Sequence, residues 1–185
     1  MKTPTWWVSP RPYQFVIAGC LQFLLLTTIA MFFYPGSTTG NDNTTRYIFS
    51  QNFFSDLGVT TTYNGQSNTI GAILFFIALA TAGIAIITFF LALPHLFQNR
   101  NHWRWLTILG SLAGIISGLG YIGVALTPAD LFLNLHINAV RTAFVFFFFA
   151  VLCYLPPLWQ NPSFPRFYAY IFATFALALI TYIWL

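Results

Sequence analysis

The sequence predicts an all-α integral membrane protein, a bundle of about five transmembrane helices forming one domain over residues 1–185. Three observations carry this. The chain is 58% hydrophobic and only 5% charged, against nearly a quarter charged in soluble domains, so its polar groups cannot cover a water-facing surface. Five apolar stretches reach the roughly 20 residues that a spanning helix needs. Once those stretches are set aside, too little chain remains for a soluble domain.

The first span runs from about Tyr13 to Tyr34 and stops at Pro35-Gly36. It is too long for the core of a cleaved signal peptide, and no small-x-small site follows, so it reads as a signal-anchor helix. Residues 35–69 form a polar loop rich in Thr, Asn and Gly. The second span covers about Ile70–Phe97, with Pro94 ending or kinking it. The third covers Trp105–Leu126. The fourth starts near Pro128 and ends near Pro156-Pro157. The fifth covers Phe167–Leu185.

Orientation follows from the basic residues. Lys2, Arg11, Arg100, Arg104 and Arg166 fall on one side, Arg46 and Arg141 on the other. The positive-inside rule places the first set, and the N-terminus, in the cytoplasm, and the C-terminus outside. Asp42, Asp56, Asp130 and His136 then lie on the outer side, His95 and His102 on the inner. Trp6, Trp7, Trp103, Trp105 and Trp159 flank the spans as an interfacial belt. The basic residues are scattered, so the charge of +4 does not point to nucleic acid.

Gly110, Gly114 and Gly118 recur every four residues in the third span. That spacing suits close helix packing within the chain or, less simply, a dimer seam. In the loop, Tyr47, Ser50, Phe54 and Leu57 share one side at helical spacing, a partly apolar stripe compatible with a segment lying in the membrane interface.

Polar residues concentrate at the outer end. Thr127-Pro128-Ala129-Asp130 has the form of a helix start: a capping hydroxyl, a proline at the first helical position, and an acid in the first turn. At about 100° per residue, Asn134, Asn138 and Arg141 fall within about 80° of Asp130, forming one stripe down the helix. A charge about three turns into a span calls for a partner or for snorkelling of its long side chain. Asp130 is about 16 Å from Arg141 along the axis, so Asp56, or the bridging Asn134 and Asn138, is the better partner. His136 lies about 240° from Asp130 and faces another neighbour. Ser55-Asp56-Leu57-Gly58 precedes the second span as a turn, with Gly58 expected at positive φ. Ser55 could alternatively be a nucleophile with His136 as base and Asp56 or Asp130 as orienter.

The order of Phe54-Ser55-Asp56-Leu57-Gly58, then Asn68, a Gly-rich span, Thr127-Pro128-x-Asp130 and His136 resembles the membrane family known as domain of unknown function 998. The resemblance covers most of the chain through short motifs. It implies a small helical membrane fold of about six helices, where this sequence has five, and a site in which Ser55, Asp56, Asn68, Asp130 and His136 converge. The family has no settled activity, so the resemblance indicates a site and not a reaction.

Several chemistries are excluded. Lys2 is the only lysine and lies outside the spans, so no retinal can attach. The three histidines divide between the two sides, against a three-His zinc site, and no metal or cofactor is expected. Cys20 and Cys153 read as small apolar residues. Three functions remain. The first is binding of a lipid headgroup or partner membrane subunit through an outer polar pocket formed by Asp56, Asn68, Asp130, Asn134, His136 and Arg141. The second is a lipid-directed hydrolase or transferase using Ser55, His136 and an Asp. The third is a small transporter, disfavoured because the inner halves of the spans carry almost no polar residue beyond Gln22.

Overall fold

The computed structural model describes residues 9–97, 103–162 and 164–184. They form five helices long and apolar enough to cross a membrane: α1 (Arg11–Phe33), α2 (Thr69–Ala92), α3 (Arg104–Leu126), α4 (Leu133–Gln160) and α5 (Arg166–Trp184). The all-helical, multi-span fold expected from composition is the one observed. Expectations that fall on Lys2, Trp6, Trp7, Arg100 and His102 lie outside the described residues. The shortest helix, α5, has 19 residues, about 28 Å at 1.5 Å per residue, close to the roughly 30 Å of the hydrocarbon core.

The main helix contacts run between chain neighbours: α1 on α2, α2 on α3, α3 on α4, and α4 on α5. In its most apolar stretch α3 is 44% buried, whereas α1 and α5 are each 17% buried, so α3 is the central helix and α1 and α5 form the edges. One apolar core joins Ala30, Tyr34, Leu57, Phe75, Leu79 and Val124 at the end that carries the 34–68 loop, hereafter the loop end. A second core joins Phe90, Phe97, Ala150, Tyr154 and Ala169 toward the opposite end. There Tyr154 threads a polar contact through the core: its hydroxyl lies 2.6 Å from Ser111 Oγ and donates to the Thr107 carbonyl at 3.0 Å.

The glycines of α3 do not form a single seam. A side chain at Gly114 would strike the ring of Phe90 on α2, and one at Gly118 would come within 2.8 Å of the Gly83 carbonyl. Gly110 instead faces Tyr154 on α4, and Gly120 faces the backbone of Ala143. All four are buried. The four-residue spacing is spent within the chain, because a central helix needs close approach on two sides.

Three boundaries differ from expectation. Proline does not end the fourth span: Pro156 and Pro157 lie inside α4, which continues to Gln160. They fall in its last turns, where only a few backbone bonds are forfeited. Nor does α4 start at Pro128. Residues 128–132 form a separate turn, with Leu131 and Phe132 N–H both donating to the Pro128 carbonyl. Finally, residues 47–57 are not a continuous helix. They are turns closed by a short 3₁₀ helix, Phe54–Gly58, whose Leu57 is fully buried in the core. Pro94 acts as expected: α2 stops at Ala92 and tightens into a 3₁₀ turn over Leu93–Phe97.

The glycine packing gives a direct test. Gly114→Ala should lower stability in detergent by about 1–3 kcal/mol, the usual cost of overpacking. Gly40→Ala, where a new methyl meets nothing within 4 Å, should stay within about 0.5 kcal/mol. Thermal unfolding followed by circular dichroism compares the two.

Candidate functional site

Asp56, Asn68, Asp130 and His136 all lie at the loop end, but each belongs to a separate hydrogen-bonded group. The first surrounds Asp56, which is 3% exposed. One carboxylate oxygen, Oδ2, accepts from the Phe53 N–H and from Asn52 Nδ2, each at 3.0 Å. The other, Oδ1, accepts from the Tyr63 hydroxyl at 3.0 Å. Asn52 also donates to the Ser37 carbonyl at 2.9 Å and accepts from the Ile48 N–H at 3.0 Å. Asp56 thus fastens three stretches of the loop to one another. The chain must turn sharply to allow this, and Gly36 (φ 117°) and Ser37 (φ 69°) supply the left-handed backbone. A side chain at Gly36 would collide with the backbone of Thr44.

Gly58 has a different role from the one expected. It is not among the positive-φ residues. Its hydrogen is needed because the ring of Phe75 occupies the place of a side chain, allowing the 3₁₀ turn to lie directly on α2.

The second group centres on Asn68, 1% exposed. Its Nδ2 donates to the carbonyls of Leu57 and Val59 at 3.1 and 2.9 Å. Its own carbonyl accepts the first bond of α2, from Ala72. Asn68 ties the 3₁₀ turn to the start of α2, and Gly71 leaves room for its amide.

In the third group, Asp130 accepts from the backbone N–H groups of Thr60 and Thr61 at 3.0–3.1 Å and from Thr60 Oγ1 at 2.6 Å. It does not start α4, as the local pattern suggested. It clamps the α3–α4 connection to the loop preceding α2. Thr127 likewise does not cap: its hydroxyl donates back to the Gly123 carbonyl at 2.8 Å, extending the end of α3.

His136, 5% exposed, makes up the fourth. Its Nδ1 lies 2.6 Å from the Thr127 carbonyl. A carbonyl only accepts, so Nδ1 carries the proton. Nε2 is buried and has no hydrogen-bond partner among the described residues.

This arrangement does not assemble the nucleophilic triad considered from sequence. Both candidate orienting carboxylates, Asp56 and Asp130, are engaged by other donors, and His136 Nδ1 is held by a carbonyl. The Ser55 hydroxyl makes no hydrogen bond to His136 among the described residues. Nor does Asp56 pair with Arg141, because its donors are the neutral Asn52, Phe53 and Tyr63. Arg141, Asn134 and Asn138 are all exposed on α4, and none of their side chains bonds to the loop network among the described residues. The 16 Å separation of Asp130 and Arg141 expected from helical rise is moot, because Asp130 precedes the helix.

Three phenols surround the Asp56 group. Burial raises the pKa values of Tyr34, Tyr47 and Tyr63 above the ordinary 10.0, and the negative charge of Asp56 adds to this. They stay neutral, and Tyr63 remains a donor.

One groove opens at this end. It has a volume of about 260 Å³ and lies between the first two turns of α2, the end of α3, Pro128 and His136. Among the described residues no group of three or more His, Cys, Asp or Glu side chains could hold a metal.

No protein-family model matches the chain, and no curated protein or solved structure is significantly similar to it.

Two predictions follow from the loop network. Asp130→Ala strips the acceptor from two backbone N–H groups and a hydroxyl in exposed bonds, at about 0.5–1.5 kcal/mol, the net worth of an ordinary hydrogen bond. Hydrogen exchange at Thr60 and Thr61 should accelerate, while the helix interiors keep their protection. The phenols set the sign of the alkaline response. A folded-state pKa above the unfolded value gives stability that is whole below pH 10.0 and is lost as pH rises through the folded value. Loop-end protection should therefore fall above about pH 10, and Asp56→Asn should reduce that dependence.

Proposed function

We propose that this multi-span membrane protein binds an anionic lipid headgroup at the loop end, through a polar stripe on the lipid-facing side of α4. The observation that carries this reading is the exposure of Arg141, Asn138 and Asn134 together on a membrane helix, with no hydrogen bond or ion pair from Arg141 to the described residues. An unpaired guanidinium is costly in hydrocarbon, and a phosphate is its natural bidentate partner.

Depth supports the assignment. Trp159, with the Arg166 guanidinium 5.6 Å from its ring centre, has the character of an interfacial anchor at the far end of α4. Counting back about 20 residues from Trp159 for the hydrocarbon core reaches the neighbourhood of Ala139. Arg141 then sits within about one turn of the headgroup boundary, with Asn138 and Asn134 above it. α4 has 28 residues, about 42 Å, and projects beyond the core. The long Arg141 side chain reaches along the stripe toward the phosphate level.

Orientation belongs to the same proposal. Arg11, Arg104 and Arg166 begin their helices at the end opposite the loop, which supports a cytoplasmic N-terminus and an external C-terminus by the positive-inside rule. The lipid would then be in the outer leaflet.

The test is lipid retention after purification, read by native mass spectrometry in mixed anionic and zwitterionic lipid. Arg141→Gln should reduce the anionic-to-zwitterionic ratio about tenfold, the equivalent of about 1.4 kcal/mol, and Arg141→Lys should keep part of it. Loss of a co-purifying acidic membrane subunit in Arg141→Gln, with the lipid ratio unchanged, would assign the stripe to a partner protein instead.

A further inference from the structure

The groove beside His136 is chemically unlike the stripe on the other side of α4. His136 and Arg141 are five positions apart, about 140° round the helix, so they face different surroundings. The stripe presents a cation; the groove presents none. Its wall is apolar, with Ile73, Phe76 and Leu126 at 54%, 42% and 60% exposure. Exposed apolar side chains on a spanning bundle face lipid, so the groove opens sideways into the bilayer. Gly58 and Pro128 close it toward the loop. From Thr69 to Phe76 is about 10 Å of helix, so it extends from the interface into the acyl region.

Among the described residues, one polar side chain, His136, stands in that wall, and it is half satisfied. The Thr127 carbonyl fixes the His136 tautomer by accepting a hydrogen bond from Nδ1–H, which in the neutral ring leaves Nε2 with a lone pair. Nε2 is out of reach of bulk water and no donor among the described residues meets it. Buried polar atoms in folded proteins almost always have a partner, and leaving one unpaired costs about 1–3 kcal/mol. His136 lines the groove, so a partner for Nε2 that enters there displaces the groove side chains that now shield this atom. Such a partner must carry a proton to donate, be apolar elsewhere, and bring no charge that the groove cannot match.

We infer that the groove is a second lipid site, for a neutral lipid with a free hydroxyl. The hydroxyl donates to His136 Nε2, and the acyl chain lies along Ile73 and Phe76 into the bilayer. A phosphate is unsuited here, because it is an acceptor meeting an acceptor. At about 260 Å³, slightly below the usual range of ligand pockets at about 300 Å³ and above, the groove holds the hydroxyl end and leaves the remaining chain among neighbouring lipids. The inference is independent of the anionic stripe.

The experiment uses the full chain in phosphatidylcholine nanodiscs with ¹⁵N-labelled histidine. Dioleoylglycerol is added as the hydroxyl donor, and trioleoylglycerol as a glyceride whose third oleoyl chain caps that hydroxyl. Dioleoylglycerol should move the His136 Nε2 resonance in the direction of an accepted hydrogen bond and be retained about fivefold better than trioleoylglycerol, the effect of one net hydrogen bond. His136→Phe should abolish that preference. Because His136→Phe also removes the bond to Thr127, Ile73→Trp serves as a second variant that fills the groove and leaves that bond in place. It should likewise reduce dioleoylglycerol retention, whereas Arg141→Gln should not. Equal retention of the two glycerides, an unmoved Nε2 resonance, or retention unaffected by Ile73→Trp would each overturn the assignment and leave the groove to water or to bulk acyl chains.

Discussion

The close approach of α3 to the helices on either side of it is the constraint on which the rest of the molecule depends. In a bilayer, helices gain little by hiding apolar surface from one another, since lipid tails are as apolar as leucine. What remains is van der Waals contact, and that requires backbones to come near. Gly114 and Gly118 admit α2, and Gly110 and Gly120 admit α4. The alternating direction of the spans puts the start of α2 and the start of α4 at the same end of the bundle, and their close approach to α3 brings the two near each other. Asp130 can then reach Thr60, and His136 can stand across a groove from Ile73.

The loop end follows a different physics. There the chain emerges from hydrocarbon, and irregular backbone is permitted only where its polar groups find partners. Asp56, Asn52, Asn68 and Asp130 supply them, each joining segments that are otherwise unrelated. Where such groups are buried, as Asn52, Asp56 and Asn68 are, they are costly when half satisfied and rigidifying when complete. The Asp56 group is nearly complete, as all of its hydrogen-bonding side chains are engaged. This favours a structural reading of the residues that the motifs brought to notice, and it moves the search for function to the polar groups left over.

Sequence made the spans legible because hydropathy over about 20 residues is a summed signal that no single residue can spoil. It made the loop end legible as a polar cluster, but not its wiring. Thr127-Pro128-x-Asp130 has every local feature of a helix start, and a partner 70 positions away in the chain overrode it. Asn52 and Tyr63 carry no local pattern, so nothing in the sequence points to them as donors to Asp56. The Gly58 error has the same source. A glycine in a turn suggests positive φ, whereas the close approach of Phe75 is visible only in three dimensions. Arg141 was recognised from its cost in hydrocarbon, but the direction it faces depends on how α4 packs.

The division of labour on α4 sharpens the functional argument. A helix that served only as a wall would turn its polar residues inward or omit them. α4 instead keeps Arg141, Asn138 and Asn134 on the lipid side and seals His136 against α3, with each set lacking the complement that the other would need. The guanidinium has donors and no acceptor; Nε2 is an acceptor with no donor. Neither can satisfy the other, since the helix itself stands between them. The deficits are thus opposite in chemistry and separated in space, and one bilayer contains molecules that answer both: phosphates at the headgroup level and hydroxyls on neutral lipids just beneath it. That match in depth as well as in hydrogen-bonding sense is what favours lipid over a soluble ligand as the proposed occupant of both faces.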